Sequence, residues 1–159
     1  MAVIGIVAID AKGAIGKGGT LPWHYSADLK FFREQTTGHA CVMGYRTWLS
    51  LKRPLPNRLN VVLTRRAEVG PRESVAWMRD RLSVIALRDY LRCDLYVIGG
   101  AQVFRDFAAD IERWVVTRVP FEAEGADTFM PADFLEGFGP RDTRELEGGL
   151  KVTFYERPR

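Results

Sequence analysis

The sequence predicts one α/β domain, with a central, mixed and mostly parallel sheet, helices on both of its faces and antiparallel strands at its C-terminal edge. In the first two thirds of the 159 residues, apolar runs typical of buried strands alternate with helical patterns, an order that favours a parallel sheet. After Trp114, strand patterns follow one another with few helical ones, which indicates antiparallel strands added to that sheet. The length fits a single domain over residues 1–159.

Six runs predict the main strands. The first, at residues 3–9, is apolar throughout and indicates a buried strand. The last, at 150–155, alternates Leu150, Val152 and Phe154 with polar neighbours, as half-buried strands do. The other four lie at 39–43, 60–64, 95–98 and 114–119.

Four helices are predicted between these strands, at 28–35, 46–51, 80–91 and 101–109. The first ends at Thr37-Gly38, and the second is closed by a proline-containing stretch at 53–56. Apolar residues recur at helical spacing in the third (Leu82, Ile85, Ala86, Tyr90) and in the fourth (Val103, Phe104, Phe107, Ala108).

Composition excludes several classes of protein. Hydrophobic residues make up 47% and charged residues 27% of the chain, which is ordinary for a globular domain. A net charge of +3 favours anionic ligands only weakly. Basic residues are interleaved with acids, so we expect no nucleic-acid partner. The apolar start lacks a basic leader and no run is long enough to span a bilayer, so we expect a cytoplasmic protein without membrane contact.

The cysteines and histidines predict no metal centre. Cys41 and Cys93 lie in or beside apolar runs, where a thiol behaves as a small hydrophobe, although a disulfide between them stays open. Together with His24 and His39 they show no metal-ligand spacing.

A single carboxylate, Asp28, stands in apolar company. Ser26 is a good N-cap, so Asp28 falls in the first helical turn with Phe32 on the same face. Complementing the helix dipole is one explanation for an acid there. The other is a slot with Asp28 at its floor, in which a ligand offering a cation or paired N–H donors is the natural partner. The apolar wall of such a slot would be Leu21, Trp23, Leu29 and Phe32.

Three further elements suggest a phosphate-bearing ligand. Gly99-Gly100 joins a strand to a helix and could admit a phosphate, or could be a tight turn only. The glycine-rich stretch 12–19 could be a mobile loop over a pocket or a solvated connection. Thr64-Arg65-Arg66 ends a strand, where open α/β sheets bind their ligands, but the arginine pair could also be a solvated cluster.

Taken together, these elements resemble bacterial-type dihydrofolate reductase along nearly the whole chain. Their order and spacing carry the resemblance, which rests on Ile15-Gly16, Leu21-Pro22-Trp23, Asp28-Leu29 with Phe32, Val42-Met43-Gly44 with Thr47-Trp48, Arg53-Pro54-Leu55-Pro56 with Arg58 and Asn60, Val61-Val62-Leu63-Thr64, Val97-Ile98-Gly99-Gly100 and Asp127-Thr128.

The resemblance implies reduction of 7,8-dihydrofolate to 5,6,7,8-tetrahydrofolate with NADPH. Asp28 would bind the pterin and favour protonation of the ring nitrogen through water, with Thr117 supporting it. Leu21, on a lid, and Trp23 complete the implied catalytic group. Arg58 would hold the glutamate carboxylate of the substrate. The remaining substrate contacts would be Ile6, Ala8, Leu29, Phe32, Leu51, Leu55 and Ile98.

For the cofactor, the resemblance implies that Ala8 and Ile15 flank the nicotinamide and that Arg65 reads the 2′-phosphate. It also implies a cis peptide between Gly99 and Gly100. The other implied cofactor residues are Gly16, Leu21, Gly44, Arg46, Thr47, Leu63, Thr64, Ile98, Ala101, Gln102, Val103, Phe104 and Thr128.

Two departures from the family pattern stand out. Many relatives carry Arg directly after the Met-Gly pair, whereas this chain has Tyr45, so cofactor affinity would rest on Arg46, Arg65 and Arg66. Ala126 interrupts the family's Gly-Asp-Thr run, which leaves the reach of Thr128 to the cofactor open.

Two rival functions remain at this point. One is a reductase of the same fold that acts on another pterin or on a pyrimidine of riboflavin synthesis. The other is a silent module that binds folates or nucleotides. Under the favoured function we expect a monomer that binds dihydrofolate and antifolate inhibitors.

Overall fold

Ten strands and four helices are formed by the residues that the computed structural model describes, which are 1–16, 26–66 and 70–158. The strands are β1 Val3–Ile9, β2 Ala14–Gly16, β3 Ala40–Gly44, β4 Leu59–Leu63, β5 Val75–Met78, β6 Leu95–Gly99, β7 Arg113–Arg118, β8 Thr128–Phe129, β9 Gly139–Glu145 and β10 Lys151–Glu156. The helices are α1 Ser26–Thr36, α2 Tyr45–Ser50, α3 Arg81–Arg88 and α4 Ala101–Asp106.

Eight of these strands form one sheet in the order β5-β4-β3-β6-β1-β7-β10-β9. Every neighbouring pair from β5 to β7 is parallel, and β10 runs antiparallel to both β7 and β9. The predicted fold class, with antiparallel strands at the C-terminal edge, is therefore confirmed. The two short strands β2 and β8 pair antiparallel beside this sheet.

The two faces of the sheet are both buried, as the continuous apolar run of β1 requires. Val3 and Val7 point into one apolar cluster, whereas Ile4 and Ile6 point into the other. Helices α3 and α4 pack on the first face through residues such as Val84 and Phe104, and α1 and α2 cover the second through residues such as Phe31 and Trp48. Helices on both faces are thus confirmed as well.

The apolar face predicted for the third helix is wrong in part: Ile85 packs against the apolar cluster on the first face, but the other three residues are exposed. Leu82 and Tyr90 are 69% and 86% exposed, and the residue that α3 buries is Val84 at 1%. The helix is also shorter than predicted at both ends: it begins after Asp80, which caps it by accepting from the Ser83 N–H at 2.8 Å, and it ends at Arg88. Helix α3 contacts the apolar cluster through Val84, Ile85 and Leu87.

Both cysteines are free thiols, so the disulfide that the sequence left open does not form. Burial raises the pKa of the Cys41 thiol to about 11, so this thiol stays protonated and inert. Among the described helices, none combines the length and apolarity that a membrane crossing needs.

Candidate active site

A cleft of about 1120 Å³ opens along the carboxyl ends of the parallel strands. Its walls come from β1, β3, β4, β6 and β7 together with α1, α2 and α4. Single-ligand pockets are typically about 300–1,000 Å³, so this cleft exceeds the usual size for one ligand.

One end of the cleft contains the acid singled out in the sequence. Asp28 lies in the first turn of α1, as predicted, and is 9% exposed. Leu29 and Phe32 of the same helix line the cleft beside it, Leu29 remaining 57% exposed. Thr117 reaches the cleft from β7 and is 3% exposed. Leu21 and Trp23, the other predicted wall and catalytic residues, lie outside the described residues.

Arg58 is held in place by the protein itself at this end. Its Nε donates to the Pro56 carbonyl at 2.9 Å and its Nη1 donates to Thr36 Oγ1 at 3.0 Å, while the side chain is only 7% exposed. The guanidinium also stacks 5.8 Å from the centroid of the Phe32 ring. Burial lowers the pKa of Arg58, although a guanidinium stays charged at any physiological pH. A fixed cation therefore faces the cleft.

A glycine cradle lies where β3 and β6 meet α4. A Cβ on Gly44 would come within 3.1 Å of Val103 Cγ2, so a larger residue would crowd the close approach of strand and helix. Gly99 has φ +124°, a conformation open to glycine, and the Gly99–Gly100 peptide is cis, which confirms that expectation. This cradle gives a ligand close access to the backbone along one wall of the cleft.

Arginines gather around the same part of the cleft. The sequence prediction included Arg46 and Arg65 but missed Arg79 and Asp80, which follow β5. Strand β5 is a four-residue apolar run, and its parallel pairing with β4 places its carboxyl end at the cleft. The signal that could have found them is this short run directly followed by charged residues.

The hairpin that carries β2 is tied to the segment before β8 by a buried carboxylate. Asp10 is 4% exposed and accepts three backbone N–H groups at 2.7–2.9 Å, from Lys12, Ala14 and Ala123. Burial opposes ionisation, but the three bonds outweigh it and lower the pKa of Asp10. Ala126 does not prevent Thr128 from reaching the cleft.

The structure brings together every predicted site residue that it describes. All of them line this cleft, namely Ile6, Ala8, Ile15, Gly16, Asp28, Leu29, Phe32, Gly44, Arg46, Thr47, Leu51, Leu55, Arg58, Leu63, Thr64, Arg65, Ile98, Gly99, Gly100, Ala101, Gln102, Val103, Phe104, Thr117 and Thr128.

Comparison with known proteins agrees with this geometry. The dihydrofolate reductase family model matches residues 2–148. The chain is 37% identical over 127 residues to a dihydrofolate reductase of Haemophilus influenzae, covering 79% of this chain and 76% of the relative. It is 38% identical over 139 residues to that of Mycobacterium tuberculosis, covering 82% of this chain and 81% of the relative.

A solved structure gives the same result. The dihydrofolate reductase from Enterococcus faecalis, complexed with NADP(H) and RAB-propyl, superposes with a TM-score of 0.90 at 30% identity, covering 99% of this chain and 97% of that one. The sheet order, the cleft and these matches lead to one conclusion: the chain belongs to the dihydrofolate reductase family of NADPH-dependent oxidoreductases.

Proposed function

We propose that this chain reduces 7,8-dihydrofolate to 5,6,7,8-tetrahydrofolate with NADPH, and that Asp28 favours protonation of the pterin through water. One observation carries the proposal: the buried carboxylate of Asp28 and the Gly99-Gly100 cradle open into the same cleft. The reaction adds one hydride and one proton to the pterin, so the site must bind the ring firmly and also admit a proton.

Asp28 binds the pterin in this proposal. A carboxylate with two oxygens pairs with two parallel N–H donors, such as a ring N–H and the amino group beside it. Leu29 and Phe32 wall the slot and favour a flat aromatic ligand. The negative charge of Asp28 favours the protonated ring, and a water delivers the proton because a carboxylate that grips the amino group cannot reach the distant ring nitrogen. Flat diaminopyrimidine antifolates offer the same paired donors.

Arg58 anchors the other end of the substrate. Two of its donors are already bonded to the protein, and its remaining N–H groups suit a carboxylate. Leu51 and Leu55 line the cleft between the two anchors, where an aminobenzoyl ring would pack.

The rest of the cleft fits NADPH. The side-chain-free backbone at Gly44, Gly99 and Gly100 leaves room for a pyrophosphate, and Thr64 and Arg65 offer a hydroxyl and a cation to a phosphate. When bound, NADPH supplies the hydride. Ala8 and Ile15 line the same cleft and keep the nicotinamide side apolar.

The decisive assay is the loss of NADPH absorbance on addition of dihydrofolate to the purified protein. We expect turnover that depends on both compounds. Binding of either one without any turnover would favour the silent binding module, and turnover of a different pterin or a pyrimidine alone would favour the rival reductase.

Asp28→Asn tests the role of the carboxylate. We expect a strong loss of hydride transfer at neutral pH and a smaller loss at acidic pH, where the substrate takes its proton from solvent. The asparagine keeps the size of the side chain but not its charge. Asp89→Asn is the matched control, because Asp89 is an exposed aspartate outside the cleft. A loss of equal size at every pH would reject the protonation role and leave only a binding role.

A further inference from the structure

One polar side chain lies fully buried beside the substrate end of the cleft without lining it. Asn60 in β4 is 0% exposed, and it follows the cleft residues Arg58 by two positions and Leu55 by five. Burying an amide costs free energy unless its oxygen and its nitrogen are both hydrogen-bonded. The partners of Asn60 therefore show what this amide holds in place.

Both backbone groups of Leu55 are bound by the Asn60 amide. The Asn60 Oδ1 accepts from the Leu55 N–H at 2.9 Å, and the Asn60 Nδ2 donates to the Leu55 carbonyl at 3.0 Å. Leu55 stands between Pro54 and Pro56, which have no N–H, so a strand could not pair regularly with this stretch. A carboxamide presents an acceptor and a donor side by side, and it takes the place of a neighbouring strand here.

The amide nitrogen of Asn60 also ties this loop to the sheet. Nδ2 donates to the Arg58 carbonyl at 3.2 Å and to the Ser74 carbonyl at 3.3 Å, so its two hydrogens are shared among three carbonyls. Ser74 directly precedes β5, and its carbonyl also accepts from the Asn60 backbone N–H at 2.8 Å. One side chain thereby fixes the backbone at Leu55 and at Arg58 to β4 and to the start of β5.

The side chain of Arg58 depends on the same loop. Its Nε donates at 2.9 Å to the carbonyl of Pro56, the residue after Leu55. A shift of the loop backbone would therefore displace the guanidinium of Arg58 together with the side chain of Leu55. Asp28, by contrast, is carried by the first turn of α1.

We propose that Asn60 is a positioning residue for the aminobenzoyl-glutamate tail of dihydrofolate, acting through the backbone of residues 55–58. The inference rests on the proposed function and deepens it. Asn60 touches no ligand; it sets the places of Leu55, which packs on the tail, and of Arg58, which binds its carboxylate. The pterin ring is bound by Asp28 from another element. The effect of Asn60 must therefore appear in ligands that carry the tail and be absent from those that lack it.

The test compares two ligands that both suit Asp28, each titrated separately at fixed pH. One is dihydrofolate, and the other is 2,4-diamino-6,7-dimethylpteridine, a flat ring with paired N–H donors and no tail. The hydroxyl in Asn60→Ser is too short to bind both groups of Leu55, so we expect the dissociation constant of dihydrofolate to rise about fivefold to tenfold. The dissociation constants of the pteridine and of NADPH should change less than about twofold, because their sites are carried by other elements.

A carboxylate variant separates the two halves of the amide. Asn60→Asp keeps an acceptor for the Leu55 N–H but directs an oxygen, in place of N–H groups, at the three carbonyls, so we expect it to weaken dihydrofolate at least as much as Asn60→Ser does. Glu112→Ala is the control, because it removes the side-chain acceptor of the Val3 N–H, at 2.8 Å, outside the cleft. It should bind both ligands as the wild type does, even where urea unfolding shows a comparable loss of stability.

Equal weakening of the two ligands by the Asn60 variants, or no weakening beyond that of Glu112→Ala, would overturn the proposal. A second measurement needs no variant: in the wild type the Leu55 N–H should exchange slowly with solvent, and exchange at the rate of an open loop would also overturn the proposal. Any of these results, in a protein that still turns over dihydrofolate with NADPH, leaves the proposed function standing. A wild-type protein with no turnover would refute the proposed function instead.

Discussion

Replacing Thr36 by valine should weaken folate binding although Thr36 lines no part of the cleft. The Thr36 hydroxyl donates to the Phe32 carbonyl at 2.8 Å and accepts from Arg58 Nη1 at 3.0 Å. Thr36 is fully buried and Arg58 is 7% exposed, so water cannot easily replace the lost acceptor. Valine keeps the shape of threonine and replaces its hydroxyl by a methyl group.

The magnitude follows from the type of bond. A hydrogen bond to a charged group contributes about 1.5–3 kcal/mol, and leaving a buried donor unpaired costs a similar amount. We therefore expect Thr36→Val to lower the free energy of unfolding by about 1–3 kcal/mol. Because Arg58 loses one of its two fixed bonds, we expect the dissociation constant of dihydrofolate to rise about fivefold to tenfold, roughly 1–1.4 kcal/mol. NADPH should bind as before.

The assay titrates each ligand separately and measures urea unfolding of the same samples. Thr37→Val is the matched control, since Thr37 Oγ1 donates to the Arg33 carbonyl at 2.6 Å in the same way but is exposed and does not contact Arg58. Thr36→Ser, which restores the hydroxyl, should recover most of the folate affinity. The reasoning is refuted if Thr36→Val binds dihydrofolate as tightly as Thr37→Val does, or if it weakens NADPH to the same extent.

Two further predictions concern stability. Gly5→Ala should destabilise the protein by about 1–3 kcal/mol in urea unfolding, because the new Cβ would lie 2.5 Å from the buried Trp114 ring. Gly139→Ala is the control: its Cβ would have nothing within 4 Å, so its stability should stay within about 0.5 kcal/mol of wild type. Equal stability of the two variants would contradict this packing. Asp10→Asn should be less stable than wild type at neutral pH by about 1.5–3 kcal/mol. This difference in stability should narrow as the pH falls below 3.8, the ordinary pKa of an aspartate. The pKa of Asp10 is lowered in the folded protein, so its carboxylate loses its stabilising contribution at those acidic pH values. A gap that stays constant down to pH values of about 3 would argue against the ionised carboxylate as the acceptor.

The local sequence pattern was enough to predict an element whose residues are almost all buried. Strand β1 was predicted with the bounds it has, because most of its residues pack into the apolar clusters on the two faces of the sheet. The position of Asp28 in the first turn of α1 was likewise predicted, although the helix begins at Ser26 itself, the residue expected to cap it.

Strands that depend on a distant partner were missed. Strand β9 contains Pro140 and mostly charged residues with no apolar alternation, and it is a strand only because β10 pairs with it at the edge of the sheet. Strands β2 and β8, with three and two residues, are likewise defined by each other. The face of α3 was partly mispredicted for the same kind of reason, because the sheet below it decides which of its apolar residues is buried.

The residues of the site fall into the same two groups: those that can be predicted from their neighbours in the chain, and those whose position depends on the pairing of distant strands. Asp28, Arg58 and the twin glycines could be selected from their neighbours in the chain and from the family resemblance. Arg79 and Asp80 were missed, because the short apolar run before them is a weak signal and their place at the cleft depends on the parallel pairing of β5 with β4. The guanidinium of Arg66 lies 4.7 Å from the centroid of the Tyr45 ring, a contact between a strand end and a helix start some twenty residues earlier that no spacing rule predicts.

Helix α1 sets the geometry of the whole substrate half of the cleft. It carries Asp28 in its first turn and ends at Thr36, whose hydroxyl positions Arg58. At about 1.5 Å per residue, these two positions are roughly 12 Å apart along the helix axis. Helix α1 therefore sets the distance between the two groups that would bind the ends of one ligand, the carboxylate of Asp28 and the guanidinium of Arg58. Since the Phe32 carbonyl binds Thr36 and the Phe32 ring stacks on Arg58, the wall of the slot and the anchor are coupled through the same turn of helix.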